Sequence, residues 1–253
     1  MDTPVSYRET RRRVMKWPIT TIGLDADDTL WHNENLFEDH HRKYCALLSE
    51  YHDAKTVERV LYETEMNNLE LFGYGVKGFT LSCIETAISL TDGAIKAEEI
   101  RHIIDHCRQM LLHPVELLEG VEDVLQGLNQ RFRLLLITKG DLRDQERKIA
   151  KSGIAHHFGR TEVVSDKTVE AYARILHRNE IPAEQFLMVG NSLKSDILPV
   201  LDLGGHGVHI PYRITWEHEH VESPPHDHDN FYQLESIQQL PDLIDAIILG
   251  NNS

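Results

Sequence analysis

The sequence predicts an α/β fold, a parallel sheet covered on both faces by helices. Three observations predict it. Beyond residue 114, short apolar runs alternate with amphipathic helical stretches, the rhythm of βα units. A further apolar, β-branched run, "ITTIGLD" (19–25), stands alone near the N-terminus and ends in acids. Between it and the alternating part, from about Asn33 to His113, the pattern is helical with no convincing strand.

The first strand is 19–25. In the helical stretch, "KTVERVLYETEMNNLELFG" begins with Val57, Val60 and Leu61, and Gly73 is its C-terminal stop. "GYGVKGF" (73–79), with three glycines, reads as a loop between helices that can present Tyr74, Lys77 and Phe79 to a ligand or simply turn the chain. "AEEIRHIIDHCRQML" puts Ile100, Ile103, Ile104, Cys107 and Leu111 on one stripe. After His113-Pro114, "VEDVLQGL" is a helix with Val121, Val124, Leu125 and Leu128 inward. "FRLLLIT" (132–138) is a strand, and "LRDQERKIAKSG" a helix ended by Gly153. "TEVVS" (161–165) is a strand, followed by the helix "VEAYARILH" with Val169, Tyr172, Ala173 and Leu176 inward. "FLMVG" (186–190) is a strand, "HGVHIP" a final short one, and "IQQLPDLIDAIIL" a C-terminal helix.

In open parallel sheets the chemistry lies beyond the carboxyl ends of the strands. Four polar clusters fall there: Asp25, Asp27 and Asp28; Thr138, Lys139, Gly140 and Asp141; Ser165, Asp166 and Lys167; Asn191, Ser192 and Asp196. One carboxylate can be a nucleophile and a second, two residues on, a general acid and base. Thr138 can donate to an oxyanion, and Lys167 can neutralise negative charge. Asn191 and Asp196 add oxygen ligands suited to Mg²⁺. Three neighbouring aspartates repel one another and an incoming phosphate. A metal ion and a lysine make the arrangement tolerable.

Taken in order, these clusters resemble the four motifs of the haloacid dehalogenase superfamily of hydrolases: Asp-x-Asp-x-Thr at Asp25, Asp27 and Thr29; Thr138 in "LLLITKGD"; Lys167 in "SDKT"; and "GNSLKSD", Gly190 to Asp196. The resemblance runs from about residue 18 to 250. It implies a Rossmann-like doubly wound core formed by 1–32 and 116–253, and an inserted all-helical cap over 33–115. It also implies a Mg²⁺-dependent phosphatase. Asp25 attacks phosphorus and forms an aspartyl-phosphate, and Asp27 serves as acid, then base. Thr138, Lys139, Gly140 and Lys167 form the substrate-binding set. Asp25, Asp27, Asn191 and Asp196 form the metal set. Dehalogenase members typically lack the second aspartate, since halide leaves carbon without a proton, so Asp27 favours phosphate esters.

The chain departs from the usual pattern at Asn191, where Asp is common, which leaves open whether Asn191 or Asp196 is the main ligand. Asp28 replaces a common Gly, Lys139 a frequent Asn, and Thr168 a Pro. Asp141 and Asp166 read as helix-capping or loop acids, and Ser192 as an N-cap or a donor near the metal ligands. A phosphomutase or a dehalogenase on the same scaffold, or a non-catalytic binding protein retaining the fold, stands as the alternative.

Composition sets the remaining limits. The 253 residues are 41% hydrophobic and 26% charged, with a net charge of −15. Such a balance argues against nucleic-acid partners, and leaves a small phosphorylated metabolite as the expected one. The one basic cluster, Arg8, Arg11, Arg12, Arg13 and Lys16, reads as a solvated arm. Cys45, Cys83 and Cys107 are widely spaced and fit reduced thiols. There is no membrane-length apolar run and no signal-peptide pattern, so a cytoplasmic location is expected. "HGVHIPYRITWEHEHVESPPHDHDN" holds six histidines; a solvated loop is the expectation, with zinc binding as the sharper alternative. Substrate identity and oligomeric state are left open.

Overall fold

Strand β1, Thr21–Leu24, is buried at every residue and runs down the middle of a six-stranded sheet. This is seen in a computed structural model that describes residues 19–221 and 223–250; the basic cluster from Arg8 to Lys16 lies outside them. The other strands are β2 (Arg133–Lys139), β3 (Arg160–Val164), β4 (Phe186–Gly190), β5 (His206–His209) and β6 (Phe231–Gln233). Their order is β3-β2-β1-β4-β5-β6, with every pair parallel. This is the doubly wound order, whose switch point lies beside β1.

Alternation along each strand divides the core into two layers. Leu134 and Leu136 of β2 join Ile22, Leu24 and Val189 in one cluster. That layer packs on helices α5 (Val121–Leu128) and α9 (Leu240–Gly250). Leu135 and Ile137 point the other way, towards Phe186, Met188 and Tyr172. There the cover is α7 (Val169–Arg178) and α8 (Leu198–Asp202). Strands buried on both faces read as continuous apolar runs, which is why β1, β2 and β4 stand out in the sequence. Helix α6 (Leu142–Lys151) follows β2 and is capped by Asp141, whose side chain accepts from the Asp144 N–H.

Between β1 and α5 lie four helices: α1 (Glu34–Leu47), α2 (Ala54–Phe72), α3 (Val76–Leu90) and α4 (Ala97–Leu112). They have their own core, with Tyr44, Leu61, Phe79, Cys83 and Ile103 buried together. The two crossings between this unit and the sheet run side by side: His32 N–H donates to Glu116 at 3.0 Å and Leu118 N–H to Leu30 at 2.9 Å. Three cysteines are free, with Cys83 and Cys107 inside the helical unit. No described helix is long and apolar enough to cross a membrane.

Three local expectations need correction. "GYGVKGF" is not all loop: α3 starts at Val76, so Lys77 and Phe79 are helical and only 73–75 turn the chain. The inward face of α7 is made by Ala171, Tyr172, Ile175 and Leu176, while Val169 and Ala173 are only half-buried. After β4 the chain forms a π-helical turn, Leu193–Ile197, leading into α8, in the place of the helix that Ser192 reads as capping. "HGVHIP" is not the last strand, because β6 adds at the edge beside β5. Three residues are too few to show a period against a His- and Asp-rich surround.

Candidate active site

The switch point brings all four polar clusters to one cavity of about 190 Å³ between sheet and helical unit. Asp25 follows β1 directly, with its N–H bonded to Val189 of β4 at 2.9 Å. It is 6% exposed. Its carboxylate accepts from the Thr29 hydroxyl at 2.9 Å and pairs with Lys167. Lys167 also bonds Asp196 at 2.6 Å. Burial pushes the Asp25 carboxyl up to about 7, against the pull of Lys167, and Asp196 and Asp27 add to the rise. Burial disfavours the Lys167 ammonium, but Asp196 and Asp25 outweigh it and raise its pKa well above the usual lysine value.

Asp27 is fixed by three side chains. Lys148 bonds both its oxygens, at 2.5 and 2.7 Å; Gln145 donates at 2.8 Å and Trp31 Nε1 at 2.6 Å. Burial raises its pKa, but the Lys148 charge and these hydrogen bonds prevail and hold it below the ordinary carboxylate value. The sequence reading missed Lys148 and Gln145. Their signal was a polar i, i+3 pair one turn into α6, just after Asp141 caps it. In Lys148→Met, the Asp27 pKa is expected to rise. The acid limb of the pH–kcat profile with p-nitrophenyl phosphate then moves to higher pH, and an unmoved limb would show that Asp27 does not titrate in turnover.

Asp28 takes the left-handed conformation, with φ of 63°. Its side chain accepts from the backbone N–H of Asn33 at 2.9 Å and Glu34 at 3.0 Å, capping α1 from a distance. Thr138, 1% exposed, lines the cavity and its hydroxyl has no protein partner among the described residues. Gly140 also lines it, but its N–H donates to Val164 at 3.2 Å. Its φ of 129° requires glycine. Lys139 lies 4.1 Å from the centre of the Tyr74 ring, bonds Ser195 at 2.8 Å and pairs with Glu219.

In the fourth motif, both oxygens of Asp196 are taken, one by Lys167 and the other by Ser192 N–H at 3.0 Å. Gly190 makes room for it: a Cβ there would meet the Asp196 carboxylate at 2.2 Å. Asn191 Oδ1 lies 3.3 Å from the Thr29 hydroxyl, which itself bonds Asp25. Ser192 is the N-cap, accepting from Ser195 N–H at 3.0 Å. Asp166 accepts from Lys167 N–H at 2.8 Å. Asp25 and Asn191, linked through the Thr29 hydroxyl, therefore supply hard oxygen donors at the switch point, of the kind that fits Mg²⁺. Burial is the main cause of the raised Asp25 pKa, and a cation beside it would favour its ionised form.

Part of the His-rich segment belongs to the site. Glu219 accepts from Ser192 at 2.5 Å and Ser195 at 2.6 Å besides pairing with Lys139. His218 approaches the Tyr74 hydroxyl at 3.2 Å and packs on Trp216 at 4.9 Å. The reading of this whole segment as a solvated loop is corrected at 216–219, whose aromatic and acidic residues could have signalled it. Among the described residues, the histidines close enough to share a metal with an acid lie elsewhere, His156 and His157 with Glu122. Burial raises the Glu219 pKa, but Lys139 and the serines bring it down to about 2. Its ionised form therefore stabilises the fold by about 3 kcal/mol above pH ~4.5, and this is lost as pH falls towards about 2. The melting gap between wild type and Glu219→Gln is expected to narrow from pH 7 to pH 3; a constant gap would refute it.

Residues 19–204 match the haloacid dehalogenase-like hydrolase family model. The chain belongs to the haloacid dehalogenase-like hydrolase family. It is similar to a haloacid dehalogenase-like family hydrolase from Xanthomonas campestris, at 38% identity over 99% of this chain and 98% of that one, with a TM-score of 0.83. The fold is shared with a HAD-hydrolase from Bacillus subtilis bound to magnesium, at 17% identity over 90% and 100% of the chains, TM-score 0.64. It is also shared with a haloacid dehalogenase from Pseudomonas syringae, at 18% identity over 90% and 99%, TM-score 0.59. No curated protein matches the sequence. Family membership makes this haloacid dehalogenase-like chain a hydrolase; which bond it hydrolyses rests on its own residues.

Proposed function

We propose that this hydrolase is a Mg²⁺-dependent phosphatase acting on a small phosphorylated metabolite. The observation that carries the reading is Asp27, held by Lys148, Gln145 and Trp31 two residues beyond Asp25. An alkoxide leaving phosphorus needs a proton and halide leaving carbon does not. Asp25 attacks phosphorus as the ester P–O bond breaks. Asp27 passes the proton of a monoanionic ester to the leaving oxygen. Asp27 then takes a proton from water, which attacks phosphorus and returns Asp25 to a free carboxylate. Thr138 donates to the phosphoryl oxygens and Lys167 offsets their charge. Bound Mg²⁺, held by Asp25, the Asp27 carbonyl and Asn191, supplies charge neutralisation.

A haloacid substrate fits less well. Halide leaves carbon without a proton, so the hold of Lys148, Gln145 and Trp31 on Asp27 would serve no step of that reaction. Hydrolysis of p-nitrophenyl phosphate tests the reading: nitrophenol release with Mg²⁺ and none with EDTA is expected. Halide release from a short haloacid in EDTA, with no nitrophenol, would overturn it.

A further inference from the structure

The helical wall of the cavity carries two acids that the chemistry above does not use. Glu34, on α1, and Glu65, on α2, both line it. Among the described residues, neither carboxylate has a hydrogen bond or an ion pair. Every lysine lining the cavity is committed elsewhere: Lys139 to Glu219, Lys148 to Asp27, Lys167 to Asp25 and Asp196.

Independent observations point the same way. Gln145 is 4% exposed and lines the cavity. Its amide nitrogen is bonded to Asp27 and to the Lys139 carbonyl, but Oε1 is buried without a partner. His41 Nε2, also on the cavity wall, is buried without a partner. Burial lowers the pKa of this imidazole, with Glu58 opposing, so the ring is neutral at pH 7 and adds no cation. Burial pushes the Glu34 carboxyl up to about 8, with Asp28 and Glu65 adding to it, and that of Glu65 to about 7. The unmet need in this wall is thus for a donor bearing positive charge. Buried polar groups left unpaired are costly, and a ligand that pairs them gains that cost back as affinity. Phe37, Leu69 and Phe72 give the same cavity apolar surface along the way.

We infer that the substrate is a phosphate monoester whose leaving group carries a protonated amine at the end of a short apolar stem, with the phosphate at Asp25 and the ammonium between Glu34 and Glu65. The inference rests on the phosphatase reading. The two acids select the substrate, and the reacting atoms lie at the other end of the molecule. Glu34 and Glu65 discriminate by pairing with the cation, whereas an ester with a terminal carboxylate or second phosphate finds no free lysine in this cavity to pair with.

Aminobutyl phosphate and pentyl phosphate differ at one end, an ammonium against a methyl of similar size. With Mg²⁺ present, kcat/KM for aminobutyl phosphate is expected to exceed that for pentyl phosphate by at least ~10-fold, the ratio expected when one buried charged pairing is gained. In Glu34→Gln/Glu65→Gln the ratio is expected to fall to about one. Equal kcat/KM for the two esters in the wild type, with p-nitrophenyl phosphate turned over, overturns the inference and leaves the phosphatase reading standing. So does a preference that survives in the double variant. A free metal ion held by the two acids would give the same equal rates. Failure of all three esters overturns both readings.

Discussion

Asp25→Asn is expected to lower kcat by at least ~10³-fold while leaving the fold intact. The substitution keeps the shape of the side chain and one oxygen able to accept from Lys167, and puts an amide NH2 in place of the carboxylate's charge and second oxygen. Its effect on stability has the opposite sign. The folded pKa of Asp25 is raised to about 7 by burial, so the ionised form is disfavoured in the fold. That cost begins as pH rises above the ordinary aspartate value and is complete above about 7. In EDTA at pH 8 the neutral asparagine is therefore expected to melt at or above the wild-type temperature. Activity within tenfold of wild type would remove Asp25 from the chemistry.

Lys167→Met is expected to have the second large effect, on activity and stability together. Lys167 is 4% exposed and is the cation that Asp25 and Asp196 share. Removing one partner of a buried ion pair leaves uncompensated charge, at a cost of about 3–5 kcal/mol. Urea unfolding at pH 7 reads this as a shift to lower midpoint. Adding Asp196→Asn to Lys167→Met is expected to recover part of the stability and none of the activity. A Lys167→Met protein as stable as wild type would show that the pairing is absent in solution.

How much of this was legible in the sequence depended on how local the signal was. Strands β1, β2 and β4 are buried on both faces, so their apolar runs announced them, and the acids, Thr138 and Asn191 follow from where those runs stop. Helix α5 was readable from its apolar stripe, Val121, Val124, Leu125 and Leu128, all of which are buried. Edge strand β6 lacked any period. The parts of the site set by pairing across the chain were hidden. Lys148 reaches Asp27 over a separation of 121 residues and Glu219 reaches Lys139 over 80. The local pattern in each neighbourhood marks a polar residue of interest but not the partner it reaches. Asp28 reads only as standing where Gly is common; its left-handed backbone and its role as a cap for α1 were not visible in the sequence. Asp196 reads as an oxygen ligand of the fourth motif; its pairing with Lys167, for which the glycine at 190 makes room, was not visible in the sequence.

The phosphoryl group on Asp25 is the central claim, and acid-quench peptide mass spectrometry of Asp27→Asn with p-nitrophenyl phosphate and Mg²⁺ tests it most directly. Without Asp27 to draw a proton from water, breakdown of the intermediate slows and the phosphoryl-enzyme accumulates. The account predicts that the peptide holding Asp25 gains the mass of one phosphoryl group, and that the gain vanishes when Asp25→Asn is added. Release of phosphate at the wild-type rate with no label on that peptide would contradict it.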